Sequence, residues 1–221
     1  MVESVNVIGS GRVGSAVSAR LGERGITLDR QGPDLVLLCV PDRVIGEAAA
    51  SIAPGPWVAH VSGATPLAVL APHVRRFSVH PLQTFTLRRG PEQLDGAWAA
   101  VTAESDGASA VGTWLAETLG LRPFPLLDED RAVYHAGASI ASNYLVTLRH
   151  AAGTLLEAAG APPEALDPLM TRTIENGFEL TGPIQRGDWE TVDRHLEAIR
   201  TARPDLEAMY RVLADATVAL A

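Results

Sequence analysis

The sequence predicts an α/β fold: a mostly parallel sheet wrapped by helices, with a shortened second βα unit, followed by an all-helical C-terminal domain. Three observations predict it. A glycine run, Gly9-Ser10-Gly11-Arg12-Val13-Gly14, lies between an apolar stretch, Val5 to Ile8, and a helical pattern carrying Val13, Val17 and Leu21. Strand and helix patterns then alternate to about residue 126, as in a parallel sheet built from crossovers. From residue 127 onward only helical patterns remain.

The glycine run in that context is a Rossmann-like fingerprint. Its glycines let backbone approach a phosphate group, whose charge then rests on the unpaired N–H groups of the helix start. Gly9, Ser10, Gly11, Arg12, Val13 and Gly14 are therefore candidate cofactor-binding residues. Ile26 to Leu28 reads as a very short second strand ending in Asp29-Arg30. Asp29 stands 20 positions after Gly9, where an acidic residue meets a ribose hydroxyl, and Arg30 is the nearest candidate for a 2′-phosphate. Only Gln31 to Asp34 separate this stretch from the next apolar run, Leu35 to Val40, whereas a parallel return takes roughly a dozen residues. Either Ile26 to Leu28 stands outside the sheet, or the adenosine side of the site lacks its usual wall.

After Pro41-Asp42 the pattern gives a helix to about Ala53, a loop at Pro54-Gly55-Pro56 and a strand from Trp57 to Val61. A short helix near Pro66 to Leu70, strands Arg76 to His80 and Trp98 to Thr102, a helix Ala108 to Leu119 and a short strand Arg122 to Pro125 complete a first domain, residues 1–126. The loop from Pro81 to Gly96 has the length of loops that carry function. The second domain, residues 127–221, reads as helices Glu129 to Ala159, Pro163 to about Leu180, Asp188 to Thr201 and Pro204 to Leu220, divided by Gly160 to Pro163 and Gly182-Pro183.

Composition narrows the function. A net charge of -8 argues against a general nucleic-acid binder, whose affinity comes from clustered cations. No stretch approaches the ~20 apolar residues of a membrane span, and the first residues read as a strand rather than a signal peptide, so a cytoplasmic protein is expected. The chain has no lysine: all 18 basic residues are arginine, which removes Schiff-base and ammonium-acid chemistry. The single cysteine, Cys39, lies inside an apolar strand and can form neither a disulfide nor a thiolate cluster, and no metal site is expected.

In open parallel sheets ligands bind beyond the carboxyl ends of the strands. Polar residues bunch there: Pro41-Asp42, His60-Val61-Ser62-Gly63 and His80-Pro81-Leu82-Gln83-Thr84. Each histidine alone could merely close its strand; three such clusters beside a phosphate loop point to a site. The long helix is apolar on nearly every face, so much of it should be buried, yet His135, Ser139, Ser142, Asn143 and Thr147 form one polar stripe on it. A ligand or a helix-helix hydrogen-bond seam would satisfy that stripe. Arg186, in the turn before Asp188, has the side chain that grips a carboxylate or phosphate bidentately.

These segments, His60-x-Ser62-Gly63, His80-Pro81-Leu82-Gln83-Thr84-Phe85, Ala141-Ser142-Asn143-Tyr144 and Thr181-Gly182-Pro183 through Asp188, resemble the signatures of bacterial proteins that join a Rossmann-like NADP oxidoreductase domain to a helical C-terminal domain of unknown function. That family is similar in architecture to 6-phosphogluconate dehydrogenase, prephenate dehydrogenase and ketopantoate reductase. The resemblance implies that the glycine loop holds cofactor phosphates and that Pro41 and Asp42 border the nicotinamide. It implies that Ser62, His80 and Gln83 line the reaction pocket, and that Asn143 takes the place of a substrate-orienting asparagine. Ser139 stands where relatives often carry a proton-donating lysine, and His135, one turn earlier, or His80 would supply the proton instead. The expectation is an NADP-dependent reductase, with NAD as the alternative, acting on a small oxo or imino acid such as ketopantoate. Its catalytic residues would be His135, Asn143, His80 and Ser62, its substrate contacts Gln83, Ser139 and Arg186, and its cleft would lie between the domains. A homodimer through the helical domain is expected, since under 100 residues bury little alone. The alternative is a non-catalytic nucleotide-binding or regulatory protein on a degenerate scaffold.

Overall fold

Val5 to Ile8 form the core of β1 (Ser4–Ile8), and the chain turns through the glycines into α1 (Arg12–Glu23), which buries Ala16, Val17 and Leu21 against the sheet. The computed structural model describes residues 2–221. Their backbone falls into two compact units, residues 2–139 and 140–221. The boundary thus lies beyond the 126/127 junction expected from the pattern change, because the first helix of the helical run packs on the sheet.

The first unit is one seven-stranded sheet in the order β2-β1-β3-β4-β5-β6-β7, with β2 (Thr27–Leu28), β3 (Leu35–Leu38), β4 (Trp57–His60), β5 (Arg76–Leu82), β6 (Trp98–Ala103) and β7 (Arg122–Pro125). Every neighbouring pair is parallel except β5 and β6. One face packs on α1 and α3 (Asp106–Thr118) through Val17, Leu21, Phe77 and Leu115; the other packs on α2 (Ile45–Ala50) and a 3₁₀ turn through Val36, Leu38, Ile45 and Leu67. The β3 strand, buried on both faces, is apolar throughout, as central parallel strands are.

The register resolves the short second unit. Of Ile26 to Leu28, the last two residues do belong to the sheet: Leu28 pairs with Val5 on one side of β1, and Leu35 pairs with Val5 on the other. The end of β2 and the start of β3 are therefore level, at the base of the sheet. No return journey is needed, so residues 29–34 suffice without a helix. The cost is coverage, since β1 above Val5 has no neighbour on its β2 side, and Asn6, Val7 and Ile8 are only partly buried.

The second unit carries a π-helical turn (Ile140–Tyr144) directly after α4 (Arg131–Ser139), then α5 (Leu145–Ala158), α6 (Leu166–Glu175), α7 (Trp189–Ala202) and α8 (Glu207–Val218). The expected burial of the long helix is not found. Between residues 131 and 158 only Arg131 and Gly153 are buried. The π turn closes i→i+5 bonds, so it moves the residues after it out of the spacing that put the polar stripe on one face. In residues 140–221 the buried side chains are those of Leu166, Val192, Leu196 and Ile199, which leaves large apolar groups such as Val146, Leu169 and Val212 exposed. No helix of the described residues is long and apolar enough to cross a membrane.

Candidate functional site

The glycine loop is shaped by close approach. Gly9 has φ +117°, and a Cβ on it would stand 2.3 Å from the Cys39 carbonyl oxygen at the end of β3; a Cβ on Gly14 would stand 2.0 Å from the Gly9 carbonyl oxygen. Only glycine fits either place. Gly11 is the N-cap of α1, without a side-chain cap bond, and a Cβ there would meet nothing within 4 Å. No acidic residue sits in the first turn. The first N–H groups of α1, beginning at Arg12 and Val13, are thus left for an anion, in the positive end of the helix dipole. Beside them, Asn6, Val7, Ile8, Gly9, Ser10, Gly14, Ser15, Ser18 and Arg30 line a groove of about 550 Å³. The groove occupies the flank of β1 that the truncated β2 leaves open. Asp29 does not line it: its carboxylate accepts the N–H groups of Gln31 (2.8 Å) and Gly32 (3.3 Å) in its own turn.

The strand ends beyond β3, β4 and β5 hold the second cluster. In-register residues of neighbouring strands share a face, so His60, Ser78 and Thr102 form a polar row across β4, β5 and β6. Arg131, 1% exposed, spans that row: Nη1 donates to Ser78 Oγ (2.7 Å) and Thr102 Oγ1 (2.8 Å), and Nη2 donates to the Ser62 carbonyl. Its nearest carboxylate is Asp128, 3.7 Å from Nε, an ion pair beyond hydrogen-bond length. Burial pulls the Arg131 pKa down. The Ser62 hydroxyl gives its proton to Asp42 Oδ2 (2.8 Å), while its oxygen accepts the amide of Thr65 (3.0 Å). Pro41 leads into the short turn that presents Asp42.

Two further rungs of α4 face the same edge. Tyr134 Oη lies 2.7 Å from His80 Nδ1, and the His135 ring stands 6.1 Å from the His80 ring. Gly63 is the floor beneath both imidazoles: a Cβ there would lie 2.7 Å from His135 Cδ2 and 2.9 Å from His80 Nε2. Burial, reinforced by Arg131, pushes His60 down to about 3; burial, then His135 and Arg131, pushes His80 down to about 4. Both are neutral at physiological pH. His60 accepts the Ser62 N–H at Nδ1 (3.2 Å), so its proton is on Nε2, which is buried and unpartnered among the described residues. Burial holds Tyr134 as a phenol, pushed up to about 12, and Cys39 as a thiol, likewise about 12.

Among the expected site residues, Asp42, Ser62, His80 and His135 come together, and Gly9, Ser10, Gly14 and Arg30 share the groove. Gln83 serves its own loop: Nε2 donates to the Gln93 carbonyl (3.2 Å) and Oε1 accepts the Thr84 N–H (2.8 Å). Gln93, buried, ties that loop with bonds to Thr86, Arg89 and Gly90. Ser139 ends α4; Asn143, in the π turn, and Arg186, before α7, lie exposed in the helical unit. Sequence reasoning missed Arg131 and Tyr134, and quoted Gly63 only as part of the His60 to Gly63 segment. The i, i+3, i+4 spacing of Arg131, Tyr134 and His135 was the available signal for one helix face.

A family model, Domain of unknown function (DUF2520), matches residues 97–217, from β6 through most of α8. The chain belongs to the DUF2520 family. None of the curated proteins matches it. Among solved structures, this DUF2520 chain is similar to a candidate NADP oxidoreductase of Bacteroides fragilis, BF3122, at 20% identity over 98% of each chain with a TM-score of 0.82. It is similar to protein TM1727 of Thermotoga maritima at 23% identity, over 96% of this chain and 95% of that one, with a TM-score of 0.79. It is also similar to 1-pyrroline-5-carboxylate reductase of Streptococcus pyogenes, at 16% identity over 97% and 96% of the two chains with a TM-score of 0.63. At these identities the likeness is one of fold.

Proposed function

We propose that this chain is an NADP-dependent oxidoreductase that reduces a small oxo or imino acid, with ketopantoate as the first candidate. One observation carries the reading: an uncapped helix start and its groove share an edge of the sheet with the Asp42, Ser62, His80 and His135 cluster. The likeness to the Bacteroides protein, a candidate NADP oxidoreductase, supports a nicotinamide cofactor.

The residues fit such a cofactor. The N–H groups after Gly11 suit a pyrophosphate. At the adenosine end, Asp29 is engaged in its turn while Arg30 lines the groove, and a guanidinium there suits a 2′-phosphate better than a free ribose hydroxyl. That preference supports NADP over NAD. When bound, the cofactor supplies a hydride. Asp42 and Ser62 form the neighbouring polar wall, and a ring nitrogen of His135 gives a proton to the reduced oxygen or nitrogen. Asn143 and Arg186 are proposed substrate contacts, which a homodimer formed through the helical unit would share. The exposed Val146, Leu145 and Leu169 support that assembly.

Titration with NADPH and NADH, followed by tryptophan fluorescence, tests the reading. NADPH should bind more tightly, and Arg30→Ala should weaken NADPH about tenfold, a loss of about 1.4 kcal/mol, with little change for NADH. Binding of neither at millimolar concentration removes it. A second reading, a non-catalytic nucleotide-binding or regulatory protein, draws on the two-residue β2; tight NADPH binding with no turnover of any oxo or imino acid would favour it.

A further inference from the structure

His80 has two ring nitrogens with different surroundings. Nδ1 faces the Tyr134 hydroxyl at 2.7 Å, and the opposite edge, Cε1 and Nε2, lies over Gly63 beside His135. A neutral imidazole carries one proton, and the phenol carries one. One short bond joins the two groups, so in either arrangement one of these two protons lies outside it. The phenol is the stronger donor and a bare imidazole nitrogen the stronger acceptor, so the phenol proton occupies the short bond. That leaves the His80 proton on Nε2.

We propose that Tyr134 is a positioning residue whose O–H donates to His80 Nδ1, fixing a neutral imidazole that presents Nε2–H, beside Gly63, to the oxygen of an oxo substrate. The charged and titratable groups around it agree. Burial, then His135 and Arg131, disfavour a positive charge on His80, and Asp42, the carboxylate that favours one, already accepts from Ser62. A neutral donor so placed binds a carbonyl oxygen and holds it more strongly as negative charge gathers there. A protonated imine has no lone pair to accept that bond, and the buried Arg131 cation repels it. The site therefore takes an oxo acid rather than an iminium. The substrate assignment rests on the reductase reading; the tautomer does not.

Two-bond 15N–1H correlation spectra of the imidazoles test it directly, because protonated and unprotonated ring nitrogens resonate in well-separated ranges. Expected for the wild-type protein, from pH 8 to pH 5, is a His80 signal with Nε2 protonated and Nδ1 bare. Tyr134→Phe keeps the ring contacts to His80 and Phe124 and removes only the hydroxyl; it should convert His80 to a tautomer mixture and raise its titration midpoint. A protonated Nδ1 in the wild-type protein overturns the proposal, as does an unchanged tautomer in Tyr134→Phe. If the variant fails to fold, the wild-type spectrum still decides. With NADPH, 2-oxo acids should be reduced in preference to cyclic imines, and Tyr134→Phe should lower kcat about tenfold or more without weakening NADPH. Reduction of imines alone overturns the substrate class. Absence of all turnover, with the expected tautomer present, removes the reductase reading and the oxo assignment and leaves the positioning role of Tyr134 standing.

Discussion

Acidification from pH 8 to pH 5 should weaken the sheet unit through His60 and His80. Both are held neutral, at about 3 and about 4, whereas an unfolded histidine titrates near 6.5. With folded values below the unfolded one, the unfolded chain takes up protons that the folded chain refuses, so stability falls as the pH falls through 6.5 and keeps falling towards 4. At pH 5 an unfolded imidazole is nearly fully charged, and the linkage costs about 2 kcal/mol for each residue relative to pH 8, about 4 kcal/mol for the pair. The carboxylates held low, Asp34, Asp95 and Asp188 among them, lose their contributions only nearer pH 4, so the interval from 8 to 5 belongs to the histidines. Urea titrations at fixed protein concentration, read by tryptophan fluorescence, suit the purpose, since Trp57, Trp98 and Trp114 all lie in the sheet unit and Trp189 alone in the helical one. In His60→Asn, whose amide oxygen can accept the Ser62 N–H, the pH-dependent loss should drop to about 2 kcal/mol. Equal pH slopes in the wild-type protein and this variant would refute the reasoning, and so would a flat profile down to pH 5.

Three other expectations follow from the same geometry. Gly14→Ala drives a Cβ into the Gly9 carbonyl and should both destabilise the unit and abolish NADPH binding, whereas Gly11→Ala, at φ -74° with open space, should lower the unfolding free energy by only the loss of a favourable N-cap, about 1 kcal/mol or less, while weakening NADPH; equal stability losses in the two variants would contradict the loop geometry. Arg131→Met strands Ser78, Thr102 and the Ser62 carbonyl and should cost about 3 to 5 kcal/mol in urea unfolding, with the His80 resonance titrating at higher pH because a cation has gone; a loss under 1 kcal/mol would show the row satisfied without it. Val146→Glu, at a position 70% exposed, should shift light-scattering mass from the proposed dimer to monomer, and an unchanged dimer mass would remove α5 from the proposed interface.

The sequence by itself determined the strand-helix alternation, the glycine loop and the polar strand ends, because each is a local pattern. Backbone approach between Gly9 and Gly14, the apolar run at Leu35 to Leu38, and polar residues at the ends of β3, β4 and β5 all act within a few positions of the chain. It also posed the problem of residues 29–34, since chain length alone sets the crossover limit. Register decided that problem: pairing both β2 and β3 with Val5 makes the ends level, a relation between three strands that no single segment encodes. Tertiary structure also decided the histidines. Only packing of α4 on the sheet brings Arg131 to Ser78 and Thr102 and Tyr134 to His80, and it is that desolvated neighbourhood, rather than the residue type, that keeps His60 and His80 uncharged. The long helix failed the inference from composition because apolar residues record what a surface can bury, not whether the folded chain covers it.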